Sequence, residues 1–373
     1  MSSTPLKKSD TTFFIYFACV LLFGLIFLTS ASSVVGYDKF GDTYHFIKHQ
    51  LLLGFLPGIF GLFFFAKFDY KRLKEWSPLF FIGSLILLFL VFIPGIGSAL
   101  NTGNRSWIVL GGFSFQPAEI AKFCTILYFS ALLSKMGSQL QNFKQGFLVA
   151  LAIGMIPLLF IMFQPDIGTM SILFCIIFGL LFIANVRWSH ISLLALVAIG
   201  GFLVLILIAP YRLDRLTTFL HPEKDPQGIG YHINQSFIAI GSGEILGEGL
   251  GQSKQKYQYL PEVQADSIFA VIAEEMGFIL TIGFLLLFIL FIHRGFVLAR
   301  HSEDMFARFT ITGIMIWFIA QAFLNIGAMV GLMPLTGVPL PFVSYGGTAL
   351  AISMCAVGVV LNMSKDSQLR GKN

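Results

Sequence analysis

The sequence predicts an all-α polytopic membrane protein of about ten transmembrane helices, with one large extracytoplasmic loop between spans 7 and 8. Three observations carry this. Of 373 residues, 56% are hydrophobic and only 12% charged, against about 25% charged in an ordinary soluble domain. Mean hydropathy is +0.82. Apolar runs of the roughly 20 residues needed to cross a bilayer recur along the chain. A soluble enzyme of this size cannot hide 42 Phe, and a disordered chain needs low hydrophobicity. Cys19, Cys124, Cys175 and Cys355 all lie in apolar runs, where Cys acts as a small hydrophobe, so a disulfide scaffold is excluded too.

The spans read as about 13–35, 51–66, 78–94, 118–136, 145–163, 167–184, 190–209, 267–292, 309–333 and 345–363. The first has too long an apolar core, and no cleavage site, to be a signal peptide. Basic residues set the orientation. With the N-terminus inside, cytoplasmic segments gather Lys7 and Lys8, Lys67 to Lys74, Lys135 and Lys144, Arg187, Arg294 to Arg308, and Lys365 to Lys372, while the short outer loops hold only Lys39, Lys48 and Arg105. Both termini are therefore expected in the cytoplasm. Residues 13–363 read as a single membrane domain, with 1–12 and 364–373 as short tails. The net charge of +5 reflects this loop asymmetry and points to no nucleic acid. There is no Walker-type nucleotide loop, no arginine-rich voltage-sensing span and no HExxH metal spacing.

Polar residues that sit in or beside the spans are the functional candidates, because an intramembrane charge is expensive. Gln116-Pro117-Ala118-Glu119 opens a helix, with Pro117 in its first turn. Glu119 and Lys122 are three apart and share a face. They read either as an ion pair that eases insertion or as a site where Lys122 meets an anion. Asp166, in Gln164-Pro165-Asp166, is either a helix cap or a ligand contact.

The long loop opens with Tyr211-Arg212-Leu213-Asp214-Arg215. Ile229, Ile233, Phe237 and Ile240 then recur at helical spacing, predicting an interfacial helix. A glycine-rich stretch follows (Gly241 to Gly251), then Leu260-Pro261-Glu262 and Asp266. Asp266 and Ser267 could cap the next span, but Glu274 and Glu275 follow inside it. Three carboxylates so near one another need compensating charge, and one at this depth suits proton abstraction. Pro334 to Gly347, rich in Pro and Gly, predicts an irregular cavity wall, with Ser344 and the Gly346 and Gly347 amides facing a ligand.

Together, Gln116 to Glu119 with Lys122, Gln164-Pro165-Asp166, Gln235 to Gly243, Leu260-Pro261-Glu262 with Asp266, Glu274 to Gly277, and Pro339 to Gly347 resemble the RodA/FtsW/SpoVE (SEDS) family over about 13–363. Gln255-Lys256-Tyr257 leans towards the FtsW branch. The usual His-Thr-Asp-Phe is here Gln264-Ala265-Asp266-Ser267, which keeps the aspartate and changes its neighbours. The resemblance implies a peptidoglycan glycosyltransferase in the bacterial cytoplasmic membrane. It would polymerise lipid II on the outer face during division or cell-shape growth, with a class B penicillin-binding protein and other divisome or elongasome proteins as partners.

On that footing Asp266 is the expected general base. The candidate substrate-binding residues are Arg105, Glu119, Lys122, Asp166, Arg212, Arg215, Gln235, Ser236, Glu262, Glu274 and Ser344. A divalent cation, Mg²⁺ or Mn²⁺, is expected on Asp166 or Glu119, with no organic cofactor. A lipid II flippase would share the charged cavity, and a scaffold that recruits the transpeptidase would share the apolar surface. The clustering of unusual polar residues on one side favours an enzyme over a transporter, and the buried carboxylates favour it over a scaffold.

Overall fold

The computed structural model describes residues 9–99, 105–111, 113–208 and 210–367. Lys7, Lys8, Asn104, Arg370 and Lys372 lie outside these, as does the side chain of Arg212. Helix α1 (Thr11–Phe40) starts at Asp10, whose carboxylate accepts the Phe13 N–H at 2.7 Å. Helix α2 (His45–Gln50) passes through a π-helical turn, Leu51–Phe55, into α3 (Leu56–Lys67), and the three make one span. After α4 (Tyr70–Leu90), three short strands form an antiparallel sheet: β1 (Gly97–Ser98), β2 (Trp107–Leu110) and β3 (Phe113–Phe115). Helices α5 (Pro117–Met136), α6 (Leu148–Phe163), α7 (Ile167–Ile183) and α8 (Trp188–Ile208) follow.

The long loop carries α9 (Pro210–Leu220) and the expected interfacial helix, α10 (Ile229–Ser242). The last helices are α11 (Ile268–Arg300), α12 (Met305–Met329) and α13 (Gly347–Met363). Among the described residues, eight helical runs are long and apolar enough to cross a membrane, and Ile167–Ile183 and Trp188–Val204 are shorter apolar helices. The chain is thus an all-α, multi-pass membrane protein. Helices α12 and α13 are the most buried spans, while Leu196, Val197, Ile199 and Leu207 of α8 are exposed, as lipid contact requires.

The eighth span departs from expectation. Residues 267–292 read as one continuous apolar helix, but α11 breaks at Gly277, which has φ 68° and ψ −175°. The half-helix 268–276 ends there, and 278–300 is long enough to span alone. The glycine-rich stretch of the loop repairs the break. Glu248 N–H donates to Glu274 O and Gly249 N–H to Glu275 O, both at 3.0 Å, while Phe278 and Ile279 N–H donate to Glu244 O and Ile245 O. A Cβ on Gly277 would lie 2.2 Å from Gly247 N, so only glycine fits.

The Pro334–Gly347 segment is irregular as predicted and is pinned by one ring. Phe342 packs against Phe17 (5.3 Å), Phe318 (4.9 Å) and Phe291 (5.8 Å) in the core. Its backbone takes φ 64°, a conformation that this enclosure enforces. Gly24 of α1 makes room: a Cβ there would sit 2.2 Å from Phe342 O.

Candidate active site

Asp266 stands where the loop meets the half-helix. Ser267 occupies the N-cap of α11, as the capping alternative had it, but neither its side chain nor that of Asp266 bonds a first-turn N–H. Ser267 Oγ instead donates to Pro261 O at 2.7 Å, closing the turn that carries Asp266. That hydroxyl has one proton, so His232 Nε2, 2.5 Å from Ser267 Oγ, is the donor in their hydrogen bond. Burial holds His232 down at about 4, which keeps its ring neutral. Asn325 of α12 donates to Asp266 O (2.9 Å) and to Val338 O (2.8 Å), tying the aspartate's backbone to the irregular segment.

Among the described residues, no donor reaches the Asp266 carboxylate. Desolvation is the main force on it, with Glu262 and Asp166 adding negative potential and Arg215 opposing them. The group is pushed up to about 6 from 3.8. A carboxylate that is unbonded, desolvated and poised near neutrality is built to take a proton. Oδ2 faces Gly337, where an added Cβ would lie 3.5 Å away.

The irregular segment tied to Asp266 is held in turn by residues of α5 and α12. Glu119 and Lys122, 2% and 1% exposed, pair at 2.7 Å. Lys122 Nζ also donates to Gln321 Oε1 (3.0 Å) and lies 4.9 Å from the Trp317 ring centroid. Trp317 Nε1 donates to that same Gln321 oxygen, and Gln321 Nε2 donates to Pro339 O. Lys122 therefore acts through its neighbours. It orients Gln321, which with Asn325 one turn later holds the irregular segment in place.

Asp166 caps α7, accepting Thr169 N–H (2.9 Å) and Thr169 Oγ (2.8 Å), while its charge still acts on Asp266. Arg215 Nη1 lies 3.5 Å from Leu335 O, and its charge acts on Asp266. Glu262 is exposed and accepts from Gln264 Nε2. Gln235 is partly buried on α10, and Arg105 is exposed before β2. No contact joins either of them to Asp266.

Three of the expected substrate-binding residues, Glu274, Ser344 and Ser236, make contacts that hold the fold, as does Glu275. Glu274 is fully buried and accepts from Ser253 Oγ (2.5 Å) and the Lys254 N–H (2.9 Å), so it clamps the loop. Glu275 is compensated, as three clustered carboxylates require, by Lys256 Nζ at 3.0 Å and by the Ser30 hydroxyl. Ser344 is buried. Its hydroxyl donates to Ala265 O (2.6 Å) and accepts the Leu340 N–H, and the Gly346 N–H is taken by Gln50. Ser236 is buried and donates to His232 O.

Of the two carboxylates expected to hold a cation, Asp166 has both oxygens engaged by Thr169, whereas Glu119 pairs with Lys122 through Oε1 and leaves Oε2 buried without a partner. Among the described residues no group of three His, Cys, Asp or Glu could hold a metal ion. The residue that sequence reasoning missed is His232. Its signal was present, since Ser267 replaces the family's Phe and needs a polar neighbour.

Residues 10–369 match the family described as "Cell cycle protein", that of FtsW, RodA and SpoVE. The chain is 41% identical over 366 residues to Stage V sporulation protein E of Bacillus subtilis (strain 168), covering 98% of this chain and all of that one. It is 40% identical over 349 residues to the probable peptidoglycan glycosyltransferase FtsW of Geobacter sp. (strain M18), covering 94% of each. Among solved structures, it matches a chain from work on structural coordination of polymerization and crosslinking by a peptidoglycan synthase complex. That match has TM-score 0.79 and 25% identity over 97% of this chain and 99% of that one. The rod shape determining protein RodA of Thermus thermophilus matches with TM-score 0.71 at 23% identity, over 96% of this chain and 98% of that one, and supports the fold.

Proposed function

The chain belongs to the FtsW/RodA/SpoVE family of cell cycle proteins, and from that premise we propose that it is a peptidoglycan glycosyltransferase polymerising lipid II into glycan strands. The observation that carries this is Asp266: desolvated, with no donor on its carboxylate among the described residues, and within the field of Arg215. Asp266 takes the proton from the acceptor sugar's 4-hydroxyl. The freed oxygen attacks the donor's anomeric carbon from the face opposite its diphosphate. The bond to that diphosphate breaks, its electron pair leaves with the phosphate oxygen, and the configuration inverts.

Arg215 is the cation placed to receive the leaving diphosphate, with Arg212 and Arg105 as further candidates on the same side of the chain's topology. Glu119 Oε2 is buried and takes no hydrogen bond, so Glu119 stays the better of the two candidates for a divalent cation, which would share the diphosphate charge with the arginines. Lys122, Gln321, Asn325 and His232 are positioning residues.

The reaction belongs on the outer face of the bacterial cytoplasmic membrane, with both termini inside. Cysteines placed at the exposed Lys71 and Glu223 test this. An impermeant thiol reagent on intact cells should label only the second, and the reverse pattern would invert the topology. The partner we propose is a class B penicillin-binding protein transpeptidase. The similarity to a chain of a peptidoglycan synthase complex supports a partner, and the FtsW-named relatives favour division. The direct test is glycan-strand formation from labelled lipid II by the purified protein, alone and with its transpeptidase. Absence of strands in both settings would sink the proposal.

A further inference from the structure

At the Asp266 end of the bundle, a cavity of about 350 Å³ opens between the end of α1 and the loop after α10. That is the lower end of the range for small-ligand sites, roughly 300–1,000 Å³. Its rim is made by Tyr37 and Tyr257, which are 64% and 58% exposed. Its polar lining comes from Ser33, Asp38, Thr43 and Gln258. Gln258 Nε2 donates to Asp38 Oδ2 at 2.8 Å, so the amide is held in one orientation with its other N–H and its carbonyl free to face a ligand. No Lys or Arg lines the cavity, so it does not suit a diphosphate. Two rigid, amphipathic rings beside the Asp38 carboxylate and the hydrogen-bonding groups of Ser33, Thr43 and Gln258 suit an uncharged polyol with apolar faces, whose hydroxyls donate to carboxylate and amide oxygens; this is the chemistry of a saccharide.

The cavity is joined to the catalytic loop by a row of rings. The Tyr345 N–H donates to Gln264 O, two residues before Asp266. The Tyr345 ring meets Phe46 edge-on at 5.1 Å, and Phe46 meets Phe40 at 5.8 Å. Phe40 ends α1, one turn after Tyr37. From the other side, Tyr257 and Gln258 lie in the same loop as Asp266.

We infer that this cavity is a saccharide subsite that holds the growing glycan as it leaves Asp266. The inference rests on the proposed polymerase activity and adds a function to it: retention of the product between additions.

The test is the double variant Tyr37→Ala/Tyr257→Ala. Both rings are exposed, so truncation leaves packing intact. With lipid II, the initial rate of consumption should stay near wild type. Mean strand length should fall by about tenfold, the change in the ratio of extension to release expected when two ring contacts are lost. A second measurement needs no lipid II: saturation-transfer NMR of the purified protein with an uncrosslinked GlcNAc–MurNAc tetrasaccharide. Wild type should transfer magnetisation to the sugar and the double variant should not. Unchanged strand lengths, no transfer to wild type, or transfer that survives the double substitution would each overturn the subsite. If wild type makes no strands at all, the polymerase reading fails, and the tetrasaccharide experiment still decides the cavity.

Discussion

The elevated pKa of Asp266 makes a quantitative claim about acid pH. At about 6, the carboxylate is ionised in about nine-tenths of molecules at pH 7 and about one-tenth at pH 5, so base catalysis should fall about tenfold over that interval. An ordinary aspartate at 3.8 would lose less than about a tenth of its rate over the same range. The neighbouring charges give the profile a direction. Arg215→Gln removes the positive charge and should move the midpoint up, whereas Glu262→Gln removes a negative one and should move it down. Stability runs the other way. The folded state holds this proton more tightly than the unfolded chain, so Asp266 adds stability as pH falls from about 6 towards 4. Loss of activity at pH 5 from this group is therefore not unfolding. Asp266→Asn should lower polymerisation about 10²–10⁴-fold at pH 7 and lose the acid limb of the profile. The assay is initial strand formation from lipid II between pH 5 and 8. A rate flat to pH 5, or an Asn variant keeping more than about a third of wild-type rate where base catalysis predicts at least a hundredfold loss, would refute the role of Asp266.

Other perturbations probe the supports. Gly277→Ala, at φ 68° with Gly247 N 2.2 Å from the new Cβ, should destabilise by more than about 2 kcal/mol, while Gly283→Ala, which meets nothing within 4 Å, should be silent in thermal unfolding. Lys122→Met strands a buried Glu119 and should cost about 3–5 kcal/mol, with Glu119→Gln added to it recovering much of the loss. Exchanging Glu119 and Lys122 should fail in stability as well as activity, because a glutamate at 122 would face the Gln321 carbonyl oxygen and the Trp317 ring; a stable, active exchanged protein would show that Gln321 and Trp317 do not matter. His232→Gln keeps a donor towards Ser267 and should retain most activity, whereas His232→Ala should lower kcat more than it raises KM.

What could be read from the sequence followed from local spacing. Glu119 and Lys122, three apart after Pro117, had to meet, and Asp166 before a helix could cap it. The amphipathic spacing of Ile229 to Ile240 gave α10. Contacts closed through the long loop were hidden. Glu274 looked like a ligand residue because its partners, Ser253 and Lys254, precede it by twenty or so residues and announce nothing about where the chain returns. Ser344 looked exposed to a cavity for the same reason, since Ala265 O reaches it from a remote segment. The break at Gly277 was invisible to hydropathy, which reads through a single glycine in an apolar run. The role of Lys122 was half legible: its pairing followed from spacing, but Gln321 and Trp317 lie on a helix nearly two hundred residues on.

The mended break in α11 also bears on how the protein is made. During insertion, Ile268–Arg300 reaches the bilayer as a 33-residue apolar segment carrying Glu274 and Glu275, and nothing upstream in that segment can neutralise them. Their partners sit in residues 244–256, which are synthesised just before. The four backbone hydrogen bonds across the break and the Lys256–Glu275 pair therefore close a stretch of about thirty-five residues on itself, with short loops to close and little entropy to lose. Such a stretch can settle as one local unit while later spans are still emerging. Asn325 of α12, which holds the Asp266 carbonyl and Val338 of the irregular segment, comes later in the chain, so the catalytic carboxylate would take its final position only once those segments dock.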